Sequence, residues 1–371
     1  MGRDRKGPCL FFMKIYSYLA ILVFACISLI PPVDFVIRNP QNEYWLWMVL
    51  IAGFFGVFTL FIKTQWPVKL IANGALINCF FSSIPYVSFT SYVSVVACCY
   101  FYIVCSRVED WTLILKALKA IVILQCLIMF MQYIGKDPLL NFGLLHVEHF
   151  GTVGQHMQAG SMAVILSALL ITFNKYFIII PLLTAVFCHS TWTLLSAGIG
   201  IVVYSYSKHA YLSGLIMLLL CTIFIGWASH QNKFSENMDS KSGRMGVWSK
   251  SFELTHKYHK DWTGWGIGTY KDLFNPLSGL GTHYRTAHNV FVQLVWEVGY
   301  IFTGCLLFAL GGLVVALFKA DLWLCLSGLA MILMDSQAHF PDRMIQCVPL
   351  IILFLAYCQF NLRRFSTCQA H

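Results

Sequence analysis

The sequence predicts an all-α polytopic membrane protein with about twelve transmembrane helices. Three observations predict it. The chain of 371 residues is 58% hydrophobic, with a mean hydropathy of +0.70. Only 11% of it is charged, against roughly 25% in soluble domains. Its apolar runs are long enough for a hydrocarbon core that takes about 20 residues per helix, and they lack the period-2 alternation of barrel strands.

Taken in order, the candidate spans run near 15–30, 44–62, 68–84, 86–105, 117–134, 157–173, 177–189, 191–206, 210–228, 289–318, 321–337 and 344–361. The first follows Arg3, Arg5, Lys6 and Lys14, as a secretory leader would. Pro31 and Pro32 come after it in place of a small-x-small cleavage site, so it reads as a retained first helix. The run 177–206 fits one long tilted helix or two short ones meeting at "CHSTW". Charge selects two. With the N-terminus inside, two crossings there put Lys63, Lys69, Arg107, Lys116, Lys175, Lys208, Lys319, Arg363 and Arg364 all on the inner side. Both termini then lie inside, and residues 1–371 form a single integral membrane domain.

Two long segments fall on the outer side: 135–156 and, far longer, 229–288. Long loops without a function are uncommon. The second is aromatic, basic and rich in His and Gly. Its residues 244–257 fit an amphipathic helix, with Val247, Phe252 and Leu254 near the apolar side.

The net charge of +9 sits mostly at the ends of apolar runs, where headgroups explain it, so no nucleic-acid partner is expected and the bilayer is. The 14 cysteines are scattered through apolar runs without a CxxC pair, which gives no reason to expect a disulfide or a metal site. Walker, dinucleotide-binding, Asp-x-Asp and HExxH motifs are absent from the sequence.

"TAHNVFVQLVWEVGY", residues 286–300, carries the most unusual polarity. Asn289, Gln293 and Glu297 recur every four residues and share one helix face below His288. Polar groups on membrane helices are costly; they serve either as interhelical glue or as the lining of a site. His288 reads either as an interfacial cap or as a general base. Arg244, in "SGRMGVW", and Arg285 read as solvated loop cations or as phosphate ligands. "GTVGQHMQAG", residues 151–160, sets Gln155 and His156 at a helix start, where an anion or a plain cap is at home. His189 in the "CHSTW" turn, and His339, Asp342 and Arg343 in "AHFPDRM", read as interfacial turns.

Together, "SGRMGVWSKSFEL", "GWGIGTYKDLF" and "TAHNVFVQLVWEVGYIFTG" resemble the signature region of the O-antigen ligase and polymerase family, and "GTVGQHMQAGSMAVIL" resembles that family's Gly-Gln-Pro-Asn segment. The detailed likeness covers about 80 residues, by the extent of those quoted motifs. It implies a multi-helix, metal-independent and cofactor-independent glycosyltransferase of the bacterial inner membrane, with its active site facing the periplasm. The implied donor is a glycan on undecaprenyl diphosphate; the implied acceptor is lipid A–core, a second lipid-linked glycan or a protein hydroxyl. By the same likeness His288 would be the base, Arg244 would hold the diphosphate, Asn289, Gln293 and Glu297 would line and support the site, and Gln155 would lie near the donor. The family's arginine in the short-helix pair is missing, Thr191 or Trp192 standing near its place. Arg285 or His189 is the candidate substitute, and "GQHM" replaces Gly-Gln-Pro-Asn. A transporter of lipid-linked glycans or solutes is the alternative from another class.

Overall fold

The computed structural model describes residues 66–136, 156–187, 190–207, 243–280, 284–337, 339 and 347–369, with single positions at 211, 215, 219 and 222. The expected spans near 15–30, 44–62 and 210–228 lie outside the described residues or reach them at single positions only, as do most of 135–156 and of 229–242. Gln155, His189, Asp342 and Arg343 also lie outside them.

All regular structure among the described residues is helical. The order is α1 (Trp66–Phe80), α2 (Pro85–Cys105), α3 (Thr112–Tyr133), α4 (His156–Leu170), α5 (Ile179–Phe187), α6 (Thr191–Ser207), α7 (Arg244–Lys257), α8 (Tyr270–Ser278), α9 (Val290–Lys319), α10 (Trp323–Asp335) and α11 (Cys347–Gln369). Four helices are long and apolar enough to cross a membrane: Pro85–Cys105, Thr112–Tyr133, Val290–Lys319 and Cys347–Cys368. Shorter apolar helices run Val68–Phe80, Ala159–Leu170, Lys175–Phe187 and Trp323–Asp335. The protein is therefore a helical membrane protein.

Within residues 177–206 the structure describes two helices, α5 and α6, packed against one another. A 3-10 turn, Lys175–Ile178, leads into the first; the Asn174 side chain accepts from the Tyr176 amide at its start.

Aliphatic, aromatic and small residues of α2, α3, α4, α10 and α11 build the main core, including Phe101, Leu118, Ile165, Leu169 and Phe354. Helices approach closely where side chains are small. A Cβ on Gly160 would lie 2.2 Å from the Thr193 hydroxyl, and one on Gly328 would lie 2.8 Å from the Ala168 carbonyl. At the α6–α10 crossing the Ser327 hydroxyl donates to the Gly200 carbonyl at 2.6 Å. Large apolar side chains such as Phe308, 85% exposed, point outward, as lipid-facing residues do.

Chain direction sorts the helix ends into two sets. In the first set Ser83 donates its amide to the Trp265 carbonyl of the segment 243–280, and Val290 at the start of α9 donates to the Ser336 carbonyl at the end of α10. The opposite ends carry Arg107, Lys175, Lys319, Arg363 and Arg364. There Arg363 donates to the Ser106 carbonyl at 2.9 Å, and Trp111 meets Tyr357 edge to face. Tyr206, Phe318 and Trp323 form a second aromatic group among these ends, the amphipathic rings expected at an interface.

The continuous apolar run 289–318 forms one candidate span that is kinked inside. α9 breaks at Gly299, whose φ of 76° and ψ of 175° belong to glycine. The break turns the backbone at 296–300 into a rung for the loop 261–266. Trp265 donates its amide to the Trp296 carbonyl at 2.8 Å, Gly266 to the Glu297 carbonyl at 2.9 Å, and Tyr300 to the Asp261 carbonyl at 2.7 Å. Asn78 of α1 closes the joint. Its amide donates to the Thr263 and Glu297 carbonyls, and its oxygen accepts from the Ile267 amide. These bonds satisfy backbone groups the helix gives up, which an apolar setting demands.

The piece of α9 before Gly299 packs with the segment 243–287. Its Val292 and Trp296 pack with Val247 and Leu254 of α7, Tyr270 and Phe274 of α8, Trp265 and Ala287. Trp296 stacks on Trp265 at 5.0 Å and meets Tyr270 and Phe274 edge to face. Burying each of these large rings contributes about 2–3 kcal/mol. Helix α7 spans the expected residues, with one difference in its faces. Val247 and Leu254 are buried as read, but Phe252 is 37% exposed and the inner positions are taken by Ser251 and Thr255. Their hydroxyls bond back to the Val247 and Ser251 carbonyls, which lets them sit inside.

Candidate functional site

The segment 284–289 is held from four directions, and this fixes His288. Asn275 of α8 bonds both backbone groups of Tyr284, donating to its carbonyl at 2.9 Å and accepting from its amide at 2.7 Å. Trp248 of α7 donates its indole N–H to the Ala287 carbonyl at 2.7 Å. Gln293 accepts from the Ala287 amide and donates to Glu297 at 3.0 Å. Asn289 caps α9 by accepting from the Phe291 and Val292 amides, and it donates to Gln337 at the end of α10. The stripe Asn289–Gln293–Glu297 is thus brought together, all three side chains being 5% exposed or less. Gln293 and Glu297, bonded to one another, and Asn289, bonded to Gln337, support the loop carrying His288.

These constraints hold His288 at φ 53°, left-handed backbone that costs a non-glycine residue about 1–2 kcal/mol. Such strain persists only where the surroundings impose it. The His288 imidazole is pushed down to about 4, first by burial, then by the nearby Arg244 guanidinium. It is neutral at physiological pH.

Arg244 is the first residue of α7, after Gly243. Its half-buried guanidinium is itself pushed below the usual arginine range by burial. Among the described residues it has no carboxylate partner and no hydrogen-bond acceptor. A rigid fork of donors stripped of much of its water, close enough to act on His288, is a seat for an anion. Arg285 is exposed on the loop. His156 opens α4, and nothing is described of its side chain.

Small hydroxyl residues gather at the start of α6. Thr191 opens α6, and Ser190, Thr193 and Ser196 are buried behind it, Thr193 donating to Ser190 at 2.8 Å.

One reading changes. His339 is not an interfacial turn: it is 1% exposed, with Nδ1 at 2.6 Å from Oδ1 of Asp335 and at 3.1 Å from the Ser161 hydroxyl of α4. Asp335 and Ser161 were passed over in the sequence because each sits singly at an apolar helix. The available signal was their spacing: Asp335 and His339 are four apart across a helix end, so both point the same way.

No family model and no curated protein sequence matches this chain.

Proposed function

We propose that this protein transfers a glycan from undecaprenyl diphosphate to an acceptor hydroxyl at the periplasmic face of the bacterial inner membrane. The observation that carries the reading is the juxtaposition of Arg244, half-buried and without an acceptor among the described residues, with a neutral His288 held in strained backbone. The bond between the anomeric carbon and the diphosphate oxygen breaks, and the charge left on the diphosphate falls on Arg244. The acceptor oxygen forms the new glycosidic bond, and His288 takes its proton.

The two steps are linked by charge. Arg244 depresses the basicity of His288 while its own charge is bare. A bound diphosphate cancels that field, so donor binding strengthens the base. In this reading the helix ends with Arg107, Lys175, Lys319, Arg363 and Arg364 face the cytoplasm, and the full chain crosses about twelve times. Arg244, His288, Asn289, Gln293 and Glu297 cluster at one end of the helices, which favours a transferase over a transporter, where such groups would follow a path through the spans.

The test is expression in strains that make undecaprenyl-linked O-antigen but lack their own ligase or their own polymerase, wild type beside His288→Ala. A lipopolysaccharide ladder restored in one strain and lost in the variant identifies transfer and the acceptor. Ladders that persist with His288→Ala at equal membrane levels rule out His288 as the base.

A further inference from the structure

α7 ends in a tight turn. Tyr258, His259 and Lys260 donate their amides to the Leu254, His256 and Thr255 carbonyls, the last at 2.8 Å. His259 takes the left-handed place that glycine usually fills, with φ 54°. The turn gathers "HKYHKDW", residues 256–262, into a ledge beside Trp265. The Tyr258 ring meets Trp265 edge to face at 5.4 Å, and the Lys260 ammonium lies 5.9 Å from the Trp265 ring centroid. The Lys257 ammonium lies 5.6 Å from the Tyr258 ring. Trp265 is buried and stacked on Trp296, so the ledge rests on a rigid base. The nearby carboxylates are engaged: Glu253 with Lys250 at 2.6 Å, and Asp261 with His256 at 3.3 Å. Lys257 and Lys260 have no carboxylate partner among the described residues.

α9 sets the height of this ledge in the bilayer. The part from Tyr300 to Lys319 is about 30 Å long, one hydrocarbon thickness. Ile301 and Phe308 are exposed along it. Lys319 stands with the basic helix ends at one boundary, so Tyr300 stands at the other. The Tyr300 amide donates to the Asp261 carbonyl at 2.7 Å, which brings Trp262, 65% exposed, to that second boundary. The positive-inside rule accounts for the first basic group and not for one at the far boundary.

We propose that residues 256–262 form a binding surface for anionic phospholipid headgroups, in the leaflet opposite the basic helix ends. The Trp262 indole lies at headgroup level, as aromatic belts do. Lys257 and Lys260 lay their stems along the rings and carry their ammonium groups to the lipid phosphates. The ledge is an open surface with two separate point charges, which suits a charged sheet better than a single ion that wants a fork of donors. It is about 20 Å from Arg244, at the other end of α7. Lipid capture there proceeds whether or not glycan transfer does.

The experiment reconstitutes the full chain in nanodiscs with a photoactivatable phosphatidylglycerol or, in parallel, the matching phosphatidylcholine. Adducts are mapped to residues 256–265 by mass spectrometry. A lysine beside an anionic headgroup contributes about 5-fold in binding, so phosphatidylglycerol should exceed phosphatidylcholine about 25-fold in wild type. Lys257→Gln should leave an excess of about 5-fold, and Lys257→Gln with Lys260→Gln should leave none. Lys319→Gln, at the far boundary, should leave the excess unchanged. Trp262→Ala should lower the adducts of both lipids. Equal yields from the two lipids in wild type, or an excess that survives the double substitution, overturn the proposal. So does an excess abolished by millimolar inorganic phosphate at constant ionic strength, which would make the ledge a site for the free ion. Should the double variant fail to fold, Lys257→Gln, at an exposed position, carries the same test.

Discussion

The Arg244 guanidinium acts on His288 until an anion arrives. Replacing it by lysine keeps the charge and loses the fork. Transfer by Arg244→Lys is expected to drop about 100-fold in initial-rate assays with purified protein; an unaltered rate and donor KM would refute the phosphate role. His288 also ties stability to pH. Folded, it stays neutral down to about 4; unfolded, it protonates below its ordinary 6.5. Its contribution is therefore fully present above pH 6.5 and is lost as the pH falls toward 4, a change of about 1–3 kcal/mol. Thermal unfolding in detergent at pH 7 and pH 4.5 should show this part of the acid sensitivity in wild type and not in His288→Gln. Trp248→Phe tests the support beneath the ring. Without its bond to Ala287, turnover is expected to fall about 10-fold while melting changes little. Arg244 and His288 could be singled out from the sequence because each stands in a polar motif beside an apolar run. Asp335 and His339 were harder to read: their four-residue spacing is the only signal, and it counts only once the helix is seen to end between them.

Helix positions were largely legible, because an apolar run between polar punctuation has few ways to fold in lipid. The division of α9 was not. "VWEVGYIFTG" is as apolar as the rest of its run, and the signal is one glycine whose φ the sequence does not reveal. Gly299→Ala tests the joint: its Cβ would stand 2.2 Å from the Trp262 carbonyl oxygen, in backbone that alanine resists. A loss of about 2–4 kcal/mol is expected, read as a lower melting temperature and a smaller folded fraction in detergent. Asn78 was equally hidden. An asparagine in an apolar helix reads as glue of unknown address, and here its three bonds join α1 to the loop and the break.

For the whole molecule, the tied helix ends and the basic ends make a checkable topology. Cys368, exposed near the end of α11, should react with a membrane-impermeant maleimide only after cells are permeabilised. A cysteine at the exposed position Lys257 should react in intact cells. The same labelling pattern for both would reverse or abolish the proposed orientation. The position of Gly299 has a further mechanical consequence. The run 300–319 alone is about 30 Å long, a bilayer's hydrocarbon thickness. In thicker or thinner membranes such a rod changes its tilt. A continuous helix would swing His288 through the same angle. The hinge at Gly299, pinned to the loop at Asp261 and Trp262, separates the rod from the nine-residue piece above it, so lipid composition can vary while the imidazole keeps its bearing on Arg244.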